Sequence, residues 1–293
     1  MRHIDEDNIT QAVIARHAQA SDARLRDVMT SLVQHLHAFA REVRLTEAEW
    51  RAGLHFLAEA GRHGDARRQE LALLSDTLGL SMLVSALNHR VPKGCTEATV
   101  PGPLHAGAGD DGHDHAAPLP ADDDRHAAAV AGEPCFVRGQ VRALDGAPVA
   151  GAEVRVWPAA AAGGHDGPRG AAVSGPDGRF QCRGMLAGPH AIPHDGPVGR
   201  LLQQLGRHPW RPAHLHVAVD APGYRRLLTQ VFRGGDRWLD SDAVFGVRGS
   251  LVADWARHEP GPTPDGGTSA VPFHTLDFDF VLDRAPAARP PSD

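Results

Sequence analysis

The apolar residues change period once along this chain, and that change limits the fold more than any other feature. From residue 9 to about 90 the spacing is helical. Leu25, Val28, Met29, Leu32, Val33, Leu36, Phe39, Ala40 and Val43 recur by threes and fours, which puts them on one face of a helix that Ser21 can cap. Thr46 and Glu49 have capping-box spacing ahead of Trp50, Leu54 and Leu57, with Gly61 as the expected stop. A third helical stretch carries Leu71, Leu74, Leu78, Met82 and Leu83. These stripes are packing surfaces, and part of their area is available to a second subunit. From 134 to 284 the period is two, with runs at 136–141, 153–157, 179–183, 214–219, 225–232 and 275–282. Turn signals such as Asp145 with Gly146 and Pro176 through Gly178 separate them. Strands this short, with no helical pattern between them, predict an antiparallel β-sandwich.

The expected class is therefore α+β. A helical domain spans 1–104 and a sandwich spans 134–284. The 105–133 segment, rich in Ala, Gly, Pro, Asp and His, reads as a flexible loop, and 285–293 as a frayed tail. With 293 residues, 42% hydrophobic and 23% charged, the chain is long enough for a sizeable core. Its formal charge of -6 argues against nucleic acid as a main partner. No apolar run approaches the ~18 residues of a membrane span, and the polar start offers no signal-peptide core. Cys95, Cys135 and Cys182 form no metal spacing and cannot all pair, which points to a reducing cytoplasm.

Two counts stand out: 19 histidines and one tyrosine. Three histidine pairs are spaced by two, at 35/37, 113/115 and 214/216. On a helix, residues two apart face different ways, and the second pair lies in the loop. Only His214 and His216 fall on a strand, where both imidazoles share a face and can reach one ion.

Around that pair run Arg207-His208-Pro209-Trp210-Arg211-Pro212-Ala213-His214-Leu215-His216, then Ala221-Pro222-Gly223-Tyr224, then Leu239 through Val247. Upstream stands Ile192-Pro193-His194-Asp195-Gly196-Pro197-Val198-Gly199, and earlier Leu78-Gly79-Leu80-Ser81-Met82 and Thr96-Glu97. These stretches strongly resemble the intradiol ring-cleaving dioxygenases, in the catechol and hydroxyquinol 1,2-dioxygenase branch. The resemblance implies a homodimer joined through N-terminal helices and a sandwich holding one non-haem iron ion per subunit. The substrates it implies are O2 and a small aromatic diol or related enol.

The resemblance also implies roles. The family's two iron-binding histidines map onto His214 and His216. Its charge-stabilising arginine maps onto Arg211, and a polar residue near the metal onto Gln230. Its two iron-binding tyrosines do not map onto tyrosines: His165 and His190 hold those positions, and Tyr224 belongs to a turn. Two readings follow, a decayed site or a four-histidine site of His165, His190, His214 and His216. Four neutral imidazoles supply no negative charge, so Fe(II), Cu(II) and Zn(II) all suit the ligands, and Fe(III) suits them once a catecholate binds. His190 can also serve as the departing ligand and base. Metal release by protonation is expected near pH ~6 or below. Leu80, Ser85, Pro103, Leu104, Val244 and Phe245 are candidates for the substrate pocket. Ser85 stands where hydroxyquinol-type enzymes often have an acid, which suggests an altered substrate. Other O2-dependent chemistry, or a non-catalytic metal or ligand-binding sandwich, remains open at this point.

Overall fold

The structure, a computed structural model, describes residues 3–64, 68–100, 133–159 and 170–285. The expectations for the 105–133 loop and the tail fall outside these residues, apart from Glu133 and Ala285. The chain divides into two compact units, Met1–Glu59 and Ala60–Asp293.

The first unit holds α1 (Ile9–His17), α2 (Ala23–Glu42) and most of α3 (Glu47–His63). The cap of α2 is Asp22 rather than Ser21: its Oδ1 accepts from the backbone N–H groups of Arg24 at 2.8 Å and Leu25 at 3.1 Å. A cap must immediately precede the first helical residue to reach those donors, and Ser21 lies one place too early. The capping box at Thr46 forms as expected. Glu49 accepts from the Thr46 N–H at 2.9 Å, and Thr46 Oγ1 accepts from the Glu49 N–H at 3.3 Å. Gly61 does not stop α3, which continues to His63. A helical glycine costs only about 1 kcal/mol, so a stop needs a left-handed residue, and Gly61 is not one. No residue of α2 is buried, so its apolar stripe is left available.

In the second unit the third helical stretch is two helices, α4 (Glu70–Thr77) and α5 (Leu80–Asn88), bent by 79° at their junction. Gly79 has φ +74°, the left-handed conformation that ends a helix and that other residues adopt only with strain. Among the described residues, no single helix is long and apolar enough to cross a membrane.

The rest of the unit begins with β1 (Pro134–Ala143), β2 (Glu153–Pro158), β3 (Gly170–Val173), β4 (Arg179–Met185) and β5 (His190–Ala191). Then come α6 (Pro197–Gln204), β6 (Trp210–Arg211), β7 (His214–Asp220), β8 (Leu227–Arg233), β9 (Val252–Ala253) and β10 (Trp255–His258). β11 (Gly261–Pro262), β12 (Thr268–Ser269), β13 (Phe273–Asp277) and β14 (Phe280–Leu282) complete it. One sheet runs β10-β13-β1-β14 with β4 also on β1, and the other runs β3-β2-β7-β8-β9. Val137, Val154, Val156, Leu215, Val217, Val231 and Leu276 belong to the core cluster that the sandwich buries.

The sandwich is not purely antiparallel. β1 pairs in parallel with β13 and β14, and β8 with β9. The expected strand at 275–282 breaks at Phe278 and Asp279, where the Asp279 carboxylate accepts the Gln140 N–H at 2.9 Å in place of a backbone partner. Helix α6 was also unforeseen. Its signal was Pro197 at the first turn, and its cap comes from far away: Glu70, itself buried, accepts the Val198 N–H at 3.0 Å.

Candidate active site

Strand alternation decides where the chemistry lies. Leu215, Val217 and Val219 of β7 join the sandwich core, so His214, His216 and Ala218 face the other side of the sheet. Register then lines up Trp157, His216 and Gln230 across β2, β7 and β8. The short ladder of β5 with β6 sets His190 directly opposite Arg211. Ring centroids of His190 and His214 are 5.3 Å apart, and those of His214 and His216 are 5.0 Å apart. Trp157 stacks on His216 at 5.4 Å with an 11° interplanar angle, which fixes that ring's plane.

Two nitrogens here are buried without a hydrogen-bond partner, His190 Nδ1 and His214 Nε2. His214 Nδ1 lies 2.8 Å from the Pro212 carbonyl oxygen. A carbonyl only accepts, so Nδ1 carries the proton and Nε2 presents a lone pair. That is the orientation a metal-binding imidazole requires. Two imidazoles bound to one ion at ~2.1 Å place their centroids about 5 Å apart, which matches both pairs. Each pair taken alone therefore has the spacing of two ligands on one ion. Among the described residues, however, no three His, Cys, Asp or Glu side chains converge closely enough to hold one. His165 lies outside the described residues.

Burial also sets protonation. His190 is pushed down to about 4, first by desolvation and then by the Arg211 charge, while the Gly188 carbonyl and Asp242 oppose the shift. His214 is also held well below the usual imidazole range, first by desolvation, with Arg211, His216 and His190 adding to it and the Pro212 carbonyl opposing. The sequence-based expectation of protonation near pH ~6 took no account of this burial. Both groups have native pKa values below the unfolded one. The unfolded chain therefore binds more protons as pH falls, and stability is complete above about 6.5 and declines from there toward 4. Denaturation of the metal-free protein between pH 7 and 4 should show this slope, and His190→Gln should flatten part of it.

Arg211 is 2% exposed and bidentate on Asp242: Nε donates to Oδ1 at 3.0 Å and Nη2 to Oδ2 at 3.2 Å. Nη2 also donates to Gln230 Oε1 at 2.9 Å, and Gln230 Nε2 lies 3.3 Å from His216 Nδ1. Asp242 further accepts the Gly246 N–H at 2.9 Å and the Val244 N–H at 3.4 Å, so one carboxylate folds the 242–246 turn and grips the guanidinium. A Cβ on Gly246 would meet Arg211 Nη2 at 2.7 Å, which explains the glycine. Asp242 falls within the 239–247 stretch, but pairing across 31 residues leaves no sequence signal of its role.

Asp76 was missed entirely. It is 5% exposed at the end of α4, with Oδ2 unpartnered. Burial raises its pKa, opposed by a Ser81 hydrogen bond and the nearby Arg211 charge. An aspartate on the buried face of an apolar helix was the available signal. Of the expected pocket residues, Val244 is buried, Ser85 is half-buried, and Leu80 and Phe245 are half-exposed at 53% and 50%. Phe245 has φ 59°, a strained value for a side chain of its size. Pro103 and Leu104 lie outside the described residues. Tyr224 packs on the sandwich core with the Arg284 guanidinium 5.5 Å from its ring centroid.

Comparison with known proteins gives the family. Residues 22–96 match the family profile described as catechol dioxygenase N terminus, and residues 102–284 match the profile described as dioxygenase. The chain belongs to the intradiol dioxygenase family. It is 52% identical over 295 residues to a 6-chlorohydroxyquinol 1,2-dioxygenase of Cupriavidus pinatubonensis, covering 96% of this chain and 99% of that protein. It is 44% identical over 291 residues to a hydroxyquinol 1,2-dioxygenase of Nocardioides simplex, covering 96% of each. The solved structure of hydroxyquinol 1,2-dioxygenase from Pseudomonas putida DLL-E4 superposes with a TM-score of 0.81 at 39% identity, covering 96% of this chain and 99% of that one. This intradiol dioxygenase is thus a ring-cleaving oxidoreductase of a family known for non-haem iron, with the family's helical N-terminal part and sheet domain.

Proposed function

We propose that this dioxygenase opens hydroxyquinol or a close analogue between its two adjacent hydroxyl-bearing carbons, at a metal held by His165, His190, His214 and His216. The observation that carries the reading is the position of His190. It sits 5.3 Å from the His214 ring and keeps a buried nitrogen unpartnered, at the place where the resemblance puts a family tyrosine. A non-haem iron at that place supplies the Lewis-acid and redox chemistry that a ring diol and O2 need. Fe(II) suits four neutral imidazoles, as do Cu(II) and Zn(II), which are the competing occupants.

The chain's own residues do the rest. His190, neutral over the working pH range, takes a proton from the second ring hydroxyl. Arg211, held by Asp242 and Gln230, places a fixed positive charge where the substrate becomes anionic. Asp76 accepts a hydrogen bond from a third ring hydroxyl through its free Oδ2. The substrate then remains of the hydroxyquinol type even though Ser85 is not an acid. Three free, buried cysteines suit a reducing cytoplasm.

Oxygen uptake with hydroxyquinol and catechol tests the reading, which expects uptake with hydroxyquinol strongly preferred. Uptake with neither, from metal-loaded protein, would count against it. Asp76→Asn should lower hydroxyquinol turnover at least about tenfold and change catechol little. The same substitution should raise stability at neutral pH by about 1 kcal/mol, because a desolvated carboxylate with an unpartnered oxygen is costly.

The enzyme is further proposed to be a homodimer through its N-terminal helices. Leu25, Val28, Leu32, Leu36 and Phe39 on α2, with Val43 just after it, remain exposed, and a stable isologous contact buries over ~1,000 Å². Sedimentation at micromolar concentration should give twice the chain mass, and Leu32→Glu with Phe39→Glu should give monomer.

A further inference from the structure

We propose that Arg207 is a positioning residue that holds Asp76 at a set distance from Arg211, and that this distance makes the pocket select a third ring hydroxyl. The inference rests on the reading of Asp76 given above. The half-buried Arg207 guanidinium joins two segments far apart in sequence. Nη1 donates to the Thr77 carbonyl at 2.6 Å, and Nη2 donates to the Ala243 carbonyl at 3.0 Å. Its centre lies 4.9 Å from the Phe245 ring centroid, so the same group steadies the strained wall residue.

Both carbonyls adjoin a buried carboxylate. Thr77 follows Asp76, and Ala243 follows Asp242, the partner of Arg211. The Thr77 carbonyl lies in the last turn of α4, where the helix supplies no donor, so a cation there also suits the helix dipole. Other contacts hold the 242–246 turn alone. The Asp242 carboxylate caps it from within, and Thr99 Oγ1 donates to the Gly246 carbonyl at 2.7 Å. Those contacts preserve Arg211 when Arg207 is changed. They do not reach α4, so the loss falls on Asp76.

A lysine keeps the charge of Arg207 but is a single point donor, and it cannot span two carbonyls as the planar fork does. The test compares kcat/KM for hydroxyquinol and for catechol in the metal-loaded enzyme and in Arg207→Lys, Arg207→Gln, Asp76→Asn and the Arg207→Lys/Asp76→Asn double variant. Where turnover is too slow to follow, the same ratio is read from dissociation constants in anaerobic titration. Arg207→Lys is expected to lower the hydroxyquinol-to-catechol ratio about tenfold while catechol alone changes less than about threefold. In the Asp76→Asn background it should lower the ratio no further, because the group it positions is gone. Equal losses on both substrates, or an unchanged ratio in both Arg207 variants while Asp76→Asn lowers it, would overturn the positioning role and leave the Asp76 reading intact. An unchanged ratio in Asp76→Asn would overturn the Asp76 reading and the positioning role with it. An Arg207→Lys protein that fails to fold would assign the residue to architecture alone and also overturn the inference.

Discussion

Replacing Asp242 by alanine is expected to cost about 3–5 kcal/mol of folding stability, the usual penalty for leaving one member of a buried ion pair alone. Both side chains of the Arg211–Asp242 pair are 2% exposed, so solvent cannot take over from the missing partner. The loss should be compounded because the same carboxylate accepts two N–H groups of the 242–246 turn. Chemical denaturation of the metal-free protein measures it, and a loss under about 1 kcal/mol would show that the pair is more hydrated than its burial indicates. Arg211→Met with Asp242→Leu should recover much of the stability, since apolar groups of similar volume replace a buried pair well. Turnover should not return with it. That split would place the pair in the enzyme for its field at the substrate rather than for folding.

The second large effect is expected at His214. Its Nε2 lone pair is set by the Pro212 carbonyl and meets no other group. His214→Ala should therefore lower metal affinity by at least about a hundredfold and abolish turnover. The metal-free variant should also lose stability, because truncating a fully buried ring leaves a cavity and takes the donor from the Pro212 carbonyl. Metal analysis after dialysis, read beside denaturation midpoints, separates the two. Full metal content in His214→Ala would remove this residue from the site.

Much of the architecture was legible because period is a local property. The helical stripes, the Thr46 capping box and the strand carrying His214 and His216 all follow from residues within a few positions of each other. What escaped was set by contacts distant in sequence. The parallel pairing of β1 with β13 and β14 depends on a break stabilised by the Asp279 side chain. Helix α6 depends on Glu70, which lies 128 residues from the N–H it caps. The bend at Gly79 was hidden because Leu78, Met82 and Leu83 continue the apolar spacing across it. In the site, the imidazole pair and Arg211 were readable from a motif. Asp242 and Asp76 were not, since their meaning comes from burial beside Arg211. Protonation behaved alike: an ordinary imidazole value near 6.5 gives way to one near 4 for His190 because the fold desolvates it and sets it beside Arg211.

Whether imidazoles occupy both family tyrosine positions at the metal is read most directly from visible absorption of the iron(III)-loaded protein. Tyr224 is the sole tyrosine, and it packs on the sandwich core beneath Arg284. The unliganded protein should show no broad tyrosinate-to-iron band, and a new band should form when a catechol is added without oxygen. A broad visible band in the unliganded protein that disappears in Tyr224→Phe would contradict that occupancy.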